Sequence, residues 1–375
     1  MGALPARIEY PAGARVNGPV SFAIIGAGWR SEFFLRLAAA APERLDVTGV
    51  LVRRPEAAER LRNAWAVPTV STIDELLAPA PEFVIAAVSW PSMPGVVAEL
   101  VDRGVKVLAE TPPAPDADGL RALWNTVGDS DLVQVGEQYM LMPGHASRKT
   151  VCDLGVIGEP TFVEVASTHL YHATSMMRAF LRAGFGPVRV NARTFSAPLI
   201  DPLSFTGWDA GASPREMKTT VATLDFGDSR TGLYQFVDNQ WWNPLLSRRI
   251  LIRGTRGEIT DDEVTRLTDE GVVRSPLSYR RLGVDMNLEG NELDTVSFDG
   301  RIIYSNAWRG AAFSEDDLAV ADLLEAAGAW ARGEASGPYS LADACQDHLL
   351  GLAIEESARM GADVLTSIES WAETA

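Results

Sequence analysis

Two of the four histidines in this chain share one short motif, His169-Leu-Tyr-His172, which lies between an apolar run and a helical pattern. Histidine has an ordinary pKa of about 6.5, so its side chain can accept or donate a proton near neutral pH. An alcohol that gives up a hydride must also release its hydroxyl proton to such a group. The motif therefore predicts an acid/base site, in which His169 and Tyr171 orient the base or contact the substrate.

A second chemically suggestive segment, Gly26-Ala-Gly28-Trp29-Arg30-Ser31, follows an apolar run and precedes a helical pattern. In that setting the first glycine makes the turn and the second lets the backbone approach a pyrophosphate. The helix N-terminus supplies free N–H groups and positive partial charge. Ser31 replaces the third glycine of the fingerprint and is small. We predict a dinucleotide site here, with Trp29 and Arg30 among its contacts.

The choice between NAD and NADP usually depends on the end of the second strand, where an acid holds the ribose 2′-hydroxyl and an arginine suits a 2′-phosphate. Here that strand ends in Val52-Arg53-Arg54, and no acid is evident. Both arginines are candidate cofactor contacts, although solvated surface arginines would give the same pattern. The predicted cofactor is therefore NAD(P). Ser89, at the end of the later strand PEFVIAAVSW, is a further candidate contact.

The order of the patterns indicates which elements position these segments. Helical patterns separate five apolar runs, VSFAIIGAG, LDVTGVLVRR, PEFVIAAVSW, VKVLAE and DLVQVGEQY; there is one pattern between each pair except the second and third, which PEAAERLRNAWAV and the short IDELLA separate. Each crossover must return the chain to the same edge of the sheet, so the strands are parallel. We predict an extension over residues 1–17 and a doubly wound α/β domain that binds the dinucleotide over residues 18–142.

The pattern changes after that domain. Two helical segments flank the strand TFVEVAST, and alternating segments follow, joined by hairpin-like turns of which DFGDSRTG is the clearest. Such segments suit a mostly antiparallel sheet. Two long helical patterns end the chain. We predict an α+β domain over residues 143–375 that binds substrate.

Composition excludes several classes of protein. The chain has 375 residues, a net charge of -17 and 46% apolar residues, which is typical of a folded protein of about two domains. The acidic excess argues against a nucleic-acid partner. The longest uncharged stretch, Phe83 to Ala98, contains two prolines, so we expect no membrane span. Because no secretory signal is evident and the two cysteines lie in helical segments, we expect a cytoplasmic protein with reduced thiols.

Taken in order, several segments resemble the Gfo/Idh/MocA family, the group of glucose-fructose oxidoreductase and inositol dehydrogenase. They are IIGAGWRSEF, VPTVSTIDELL, GVKVLAETPPAPD, VGEQYMLMPGHASRKTVCDLGVIGEPTFVEV, ILIRGTRGEIT and YSLADACQDHLLGLAIEESARMGADV. The resemblance implies an N-terminal Rossmann domain and a C-terminal domain with a large open-faced sheet for substrate binding and for contacts in a homodimer or homotetramer. It also implies hydride transfer between a nicotinamide and a sugar, a polyol or a similar hydroxy compound.

Two of the family's motifs are altered here. The Glu-Lys-Pro motif, whose lysine helps to shuttle the hydroxyl proton, stands as Glu110-Thr111-Pro112. A threonine hydroxyl does not titrate near neutral pH, although it can donate a hydrogen bond to cofactor or substrate. The Asp-x-x-x-His-x-x-Asp motif keeps only its histidine, because Thr168 and Ser175 replace the aspartates. The resemblance thus implies that His172 replaces the lysine as acid or base.

Four further residues are candidates for contacting the substrate. Tyr139 lies in the family-like segment EQY at the predicted domain junction, and Lys218, one of three lysines, precedes the strand TTVATLDF. Trp241 and Trp242 are adjacent on a predicted strand, so they would point to opposite faces, and an exposed indole suits a sugar ring or a subunit interface. We predict no metal site, because the two histidines of H-x-x-H lack a nearby third ligand.

Three functions remain open on the sequence. The first is an NAD(P)-dependent oxidoreductase that acts on a hydroxyl group of a sugar, polyol or glycoside. The second is a hydrolase or lyase that retains its NAD, oxidises a sugar hydroxyl transiently and eliminates the glycosidic bond. The third is a non-catalytic sensor of sugar or nucleotide, which the altered positions Thr111, Thr168 and Ser175 favour. Kinship of fold does not decide among them.

Overall fold

A computed structural model describes residues 18–204, 206–283 and 286–373 of the chain. The extension predicted over residues 1–17 lies outside the described residues. Within them, one six-stranded sheet and one nine-stranded sheet account for most of the strands, and two smaller sheets accompany them.

The first sheet is parallel, as the alternation of strands and helices predicts. Its strands are β1 (Val20–Ile25), β2 (Leu45–Leu51), β3 (Thr69–Val70), β4 (Phe83–Ala86), β5 (Val107–Ala109) and β6 (Val133–Val135). The helices between them are α1 (Trp29–Ala40), α2 (Pro55–Trp65), α3 (Ile73–Leu77), α4 (Met93–Asp102) and α5 (Ala117–Val127). The strand order is β3-β2-β1-β4-β5-β6. The order reverses between β1 and β4, and ligands of such sheets bind beyond the carboxyl ends of the strands at that point.

Burial explains why these segments fold as strands. All four residues of β4 are buried, which is expected for a parallel strand covered by helices on both faces. The helices begin where the sequence provides start signals. Pro55 occupies the first turn of α2, and α3 begins with a capping box in which the Thr72 side chain accepts from the backbone of Glu75.

The second large sheet has the order β16-β15-β14-β13-β7-β12-β11-β8-β20 and is antiparallel except for the β7–β12 pair. Its strands are β7 (Pro160–Ala166), β8 (Arg189–Leu199), β11 (Arg215–Asp225), β12 (Thr231–Val237), β13 (Arg249–Gly254), β14 (Gly257–Thr260), β15 (Glu263–Thr268), β16 (Gly271–Pro276) and β20 (Val364–Leu365). The predicted hairpin is present between β11 and β12, where Asp225 pairs with Thr231.

Two small antiparallel sheets complete the described strands. The short strands β9 (Leu203–Ser204) and β10 (Gly207–Trp208) pair with each other, and β17 (Ser278–Leu282), β18 (Glu292–Phe298) and β19 (Arg301–Ser305) form a three-stranded sheet. The sequence patterns did not predict this second small sheet.

Four further helices pack beside these sheets, and α9 contacts strands of both large ones. They are α6 (Pro143–Asp153), α7 (Leu170–Leu181), α8 (Glu315–Ala331) and α9 (Leu341–Met360). The start of α9 lies against β6, because Gln134 forms a bridge with Ser340, whereas its later part packs on β8. At its midpoint, Gly351 leaves room for the start of α7: an added Cβ would lie 3.1 Å from the backbone nitrogen of Tyr171. No helix of the described residues is long and apolar enough to cross a membrane.

Candidate active site

The glycine turn lies between β1 and α1, as predicted. Gly26 has a φ of +129°, and a Cβ at that position would overlap the carbonyl oxygen of Ala87 in the segment after β4. Gly28 is the N-cap of α1, and an added Cβ would meet no atom within 4 Å. No side chain caps this helix. The open space and the uncapped N–H groups of the first turn fit the pyrophosphate of a dinucleotide.

Arg30 does not point into that open space. Its Nε donates to Glu110 Oε1 at 2.8 Å and a terminal nitrogen donates to Gln138 Oε1 at 3.3 Å. The side chain therefore ties the glycine turn to the loops that follow β5 and β6. Ser31 is fully buried behind it, where only a small residue lets α1 pack closely on the sheet.

Four other predicted cofactor contacts are exposed near the same sheet edge. Trp29 begins α1, Arg53 and Arg54 follow β2, and Ser89 follows β4. No acid follows β2 before α2 begins. The sequence reading missed Arg60 of α2, which donates to the carbonyl oxygen of Ala27 inside the glycine turn at 3.1 Å.

His172 lies in the first turn of α7, and His169 is the N-cap of that helix. His172 is 8% exposed, and its Nδ1 lies 2.6 Å from Oε2 of Glu137. Because a carboxylate only accepts, Nδ1 carries the hydrogen of this bond. Glu137 is itself buried, and its other oxygen accepts the backbone N–H of Tyr139 at 3.0 Å. This pair joins the loop after β6 to the first helix turn after β7.

The sequence reading also missed Glu137. Its position was informative, because it follows β6 within VGEQY, and the carboxyl ends of parallel strands meet at one edge of a sheet. What the sequence did not provide was its partner, since Glu137 and His172 are 35 positions apart and only the fold brings them together.

Aromatic rings surround the His172 imidazole. The ring centroids of Tyr171, Tyr139 and His169 lie 4.4, 4.5 and 5.2 Å from it. Burial raises the pKa of Tyr139 to about 12, so its hydroxyl keeps its hydrogen at neutral pH. Burial, with a smaller contribution from His172, lowers the pKa of His169 to about 4. His169 is thus neutral near pH 7, and its buried Nδ1 has no hydrogen-bond partner within the described residues.

The other two histidines are also neutral near pH 7. Burial, reinforced by the charge of Arg148, lowers the pKa of His145 to about 3, and its Nδ1 lies 3.2 Å from that guanidinium. Burial lowers the pKa of His348 to about 4. His172 differs from all three because a buried carboxylate faces it.

The predicted substrate residues fall into two groups. Lys218 and Trp241, together with His169, line an open cavity of about 710 Å³ between the inner face of the large sheet and the end of α9. Thr111 lies elsewhere, on a smaller cavity lined also by Pro112, Tyr171 and Glu137. The His172 ring contacts His169, which lines the large cavity, and Tyr171, which lines the small one. The structure therefore brings Lys218, Trp241 and His169 together but keeps Thr111 apart from them.

The placement of the two tryptophans on a strand was wrong. β12 ends at Val237, and residues 238–242 form a turn in which Asn239 has a φ of +61°. Gln240 holds this turn in place, because its amide donates to the carbonyl oxygen of Ala166 at 2.8 Å. Trp241 is 41% exposed on the large cavity, whereas Trp242 is half-buried.

Within residues 18–204, 206–283 and 286–373, no group of three or more His, Cys, Asp or Glu side chains is arranged to hold a metal ion. Cys152 and Cys345 are buried and free in α6 and α9.

Residues 20–137 match the model of the Gfo/Idh/MocA family, which is described as an oxidoreductase family with an NAD-binding Rossmann fold. Residues 20–137 are thus similar to the NAD-binding domain of the Gfo/Idh/MocA oxidoreductases, and the resemblance of the motifs is confirmed over that part of the chain. A search of curated proteins found no match to the sequence.

Solved structures extend the likeness of fold to nearly the whole chain. An oxidoreductase from Agrobacterium radiobacter, solved with NAD⁺, L-tartaric acid and magnesium, matches with a TM-score of 0.65 at 17% identity, covering 92% of this chain and 98% of that one. A myo-inositol dehydrogenase from Corynebacterium glutamicum gives 0.63 at 17% identity, covering 93% and 99%. A levoglucosan dehydrogenase solved with NADH and levoglucosan gives 0.65 at 18% identity, covering 92% and 99%.

Proposed function

We propose that this protein is an NAD(P)-dependent oxidoreductase that moves a hydride between the nicotinamide and a hydroxyl-bearing carbon of a sugar, polyol or glycoside. The observation that carries this proposal is the buried His172–Glu137 pair, with its 2.6 Å hydrogen bond, at the carboxyl edge of a sheet whose first turn fits a dinucleotide. We assign residues 18–142 to the nucleotide and residues 143–375 to the substrate, as two domains.

The similar structures support the substrate class. Their bound molecules are levoglucosan in one case and tartaric acid in another, and a third is a myo-inositol dehydrogenase. Levoglucosan, tartaric acid and myo-inositol all carry hydroxyl groups. The large cavity beside His169 suits such a compound, because it offers the exposed indole of Trp241 for a ring face together with the hydroxyl groups of Thr194 and Thr220.

His172 would accept the hydroxyl proton on Nε2. Nδ1 already carries a hydrogen that is bonded to Glu137, and within the described residues no hydrogen bond engages Nε2. A carboxylate on Nδ1 fixes the tautomer and stabilises the imidazolium that forms when Nε2 is protonated. Bound nicotinamide supplies the hydride acceptor or donor, which this chain's side chains cannot provide. Tyr139 and His169 would orient the substrate by hydrogen bonding.

We also propose a homo-oligomer that forms through the outer face of the large sheet. In β8 the side chains of Val190 and Ala192 are buried on the side of α9, so Phe195 projects from the opposite face, where it is 55% exposed. Light scattering should give a dimer or tetramer, and a monomer at micromolar concentration would contradict this part of the proposal.

The test is turnover by the purified protein on a panel of sugars, polyols, glycosides and sugar acids, with NAD⁺ and with NADP⁺. We expect reduced nucleotide to accumulate with at least one compound. His172→Gln should abolish that activity while calorimetry still shows nucleotide binding, because glutamine cannot accept a proton. His145→Gln is the matched control and should retain activity.

Two outcomes would overturn the proposal. One is an absence of turnover across the whole panel by a protein that binds nucleotide. The other is a His172→Gln variant that turns over as fast as the wild type. Cleavage of a glycoside without accumulation of reduced nucleotide would instead support the alternative function, a hydrolase or lyase that retains its NAD and eliminates the glycosidic bond.

A further inference from the structure

Two tryptophans are exposed at the carboxyl edge of the parallel sheet. Trp29 is 64% exposed at the start of α1, and Trp90 is 48% exposed in the short helical turn Trp90–Ser92 after β4. Single exposed apolar side chains are common and need no explanation. Two exposed indoles in the segments that follow adjacent strands, at the point where the strand order reverses, are a different case.

The register of the sheet places the two tryptophans at equivalent positions. β1 and β4 are neighbours, and Ile25 pairs with Ala86. Trp29 and Trp90 each follow the paired residue of their own strand by four positions. Beyond that pair, Gly26 lies so close to Ala87 that no Cβ fits between the two segments. Both tryptophans therefore lie where the strand order reverses. Trp29 lies at the end of the glycine turn, with its ring edge-on to that of Phe33 at 5.8 Å between centroids, and Trp90 lies in the segment that follows β4.

The occupant of this crevice follows from its other features. Gly28 leaves open space at the uncapped N-terminus of α1, and residues 20–137 match an NAD-binding domain. In this kind of domain the adenosine ribose lies at the end of β2, so the nicotinamide half lies on the opposite side of β1, where β4 ends. The Trp90 indole is on that side, and Trp29 is at the centre.

We propose that Trp29 and Trp90 form an aromatic clamp that covers the bound nicotinamide dinucleotide, with Trp90 against its nicotinamide half and Trp29 over its centre. The flat face of an indole packs well on the planar ring of a nucleotide and excludes water from it. The inference rests on the nucleotide site of the proposed function, but not on the identity of the substrate or on the His172 chemistry.

The experiment is fluorescence titration of the purified full-length protein with NADH and NADPH, in parallel with calorimetry. The chain has 10 tryptophans, so the contribution of each indole is obtained by difference between wild type and the variants Trp29→Leu and Trp90→Leu. Trp208→Leu is the matched control, because Trp208 is 73% exposed on β10, outside the matched residues 20–137. Thermal melts verify that each variant folds.

We expect each clamp variant to weaken nucleotide binding by about tenfold and to accelerate dissociation, as loss of a stacked ring does at other nucleotide sites. Each should also lose part of the tryptophan quenching that nucleotide causes, whereas the Trp208→Leu variant should behave like wild type. Unchanged affinity and unchanged quenching in both clamp variants would overturn the clamp and leave the proposed function intact. Failure of the wild-type protein to bind either nucleotide would overturn both.

Discussion

Replacing Glu137 by glutamine tests the proposed acid/base pair most directly, because the amide keeps the size of the side chain and removes its charge. Both carboxylate oxygens are in use: one accepts from Nδ1 of His172 at 2.6 Å and the other accepts the backbone N–H of Tyr139 at 3.0 Å. Glutamine has one acceptor oxygen and one NH₂ group. Whichever way the amide turns, its NH₂ group faces either Nδ1–H of His172 or the backbone N–H of Tyr139, and that hydrogen bond is lost.

The size of the effect follows from the kind of bond that is lost. A hydrogen bond between charged groups contributes about 1.5–3 kcal/mol. In the proposed mechanism this bond reaches full strength only when His172 is protonated, so its loss raises the barrier rather than weakening ground-state binding. Since about 1.4 kcal/mol corresponds to a tenfold change in rate, kcat/KM should fall by about 10-fold to 150-fold.

Steady-state kinetics on the substrate found in the panel provides the measurement, and calorimetry should show unchanged nucleotide affinity. The matched control is Glu292→Gln in β18, because Glu292 is also buried and accepts backbone N–H groups, those of Gly310 and Ala312. That variant should lose stability but keep kcat/KM. A Glu137→Gln enzyme with wild-type kcat/KM would refute the reasoning.

Three further predictions follow from the glycine turn, the arginines after β2 and a buried acid of α9. Gly26→Ala should destabilise the fold in urea unfolding, because its Cβ overlaps a backbone oxygen, whereas Gly28→Ala should unfold like wild type but bind NADH more weakly in calorimetry; equal behaviour of the two variants would contradict the assignment. The double change Arg53→Gln and Arg54→Gln should weaken NADPH binding by at least about tenfold and spare NADH, as expected when a 2′-phosphate loses its arginines; equal loss for both nucleotides would exclude this role. Burial raises the pKa of Asp347 to about 6. This folded-state pKa lies above the unfolded value of about 3.9, so the folded protein holds the carboxyl proton more tightly than the unfolded chain does. The stability that the protonated Asp347 contributes is therefore fully present below about pH 4 and is lost as the pH rises through 6. The free energy of unfolding of the wild type, relative to that of the Asp347→Asn variant, should therefore fall by up to about 3 kcal/mol between pH 4 and pH 7. A difference between the two proteins that does not change with pH in urea unfolding would contradict the assignment.

The parallel sheet was predictable because its strands are nearly continuous apolar runs bounded by helix signals. Phe83–Ala86 is buried along its whole length, as expected for a parallel strand covered by helices on both faces. The three-stranded sheet was not predictable in the same way. Its central strand, β18, buries Glu292 and Asp294, and these charges interrupt any apolar alternation in the sequence. Arg280 and Arg309 neutralise Asp294 from sequence positions that no local pattern connects to it.

The candidate site was predictable where it depends on local order and not where it depends on distant segments. The glycine turn and the HLYH helix start could be located because each joins two neighbouring elements. The prediction for Trp241 and Trp242 failed because the chain reverses after Val237, and the side-chain amides of Gln240 and Asn243 hold that turn against segments distant in the sequence. Glu137 was missed for the related reason that its role is set by a partner on another element.

The altered Glu110-Thr111-Pro112 motif lies close to the His172–Glu137 pair, because the loops after β5 and β6 are neighbours. The family's lysine would stand at Thr111, directly after Glu110, and Glu137 stands in the next loop of the sheet. These loops are in contact: the backbone N–H of Gly136 donates to the carbonyl oxygen of Ala109 at 2.8 Å, and a Cβ on Gly136 would lie 3.2 Å from Glu110 Oε1. Thr111 and Glu137 accordingly line the same small cavity. In the proposed mechanism the lysine's charge is replaced by an imidazole and carboxylate pair, which cycles between -1 and 0 as His172 is protonated. Because Glu137 acts only through the protonated imidazole of His172, its replacement should have no further effect once that imidazole is gone, and the double variant should be no slower than His172→Gln alone.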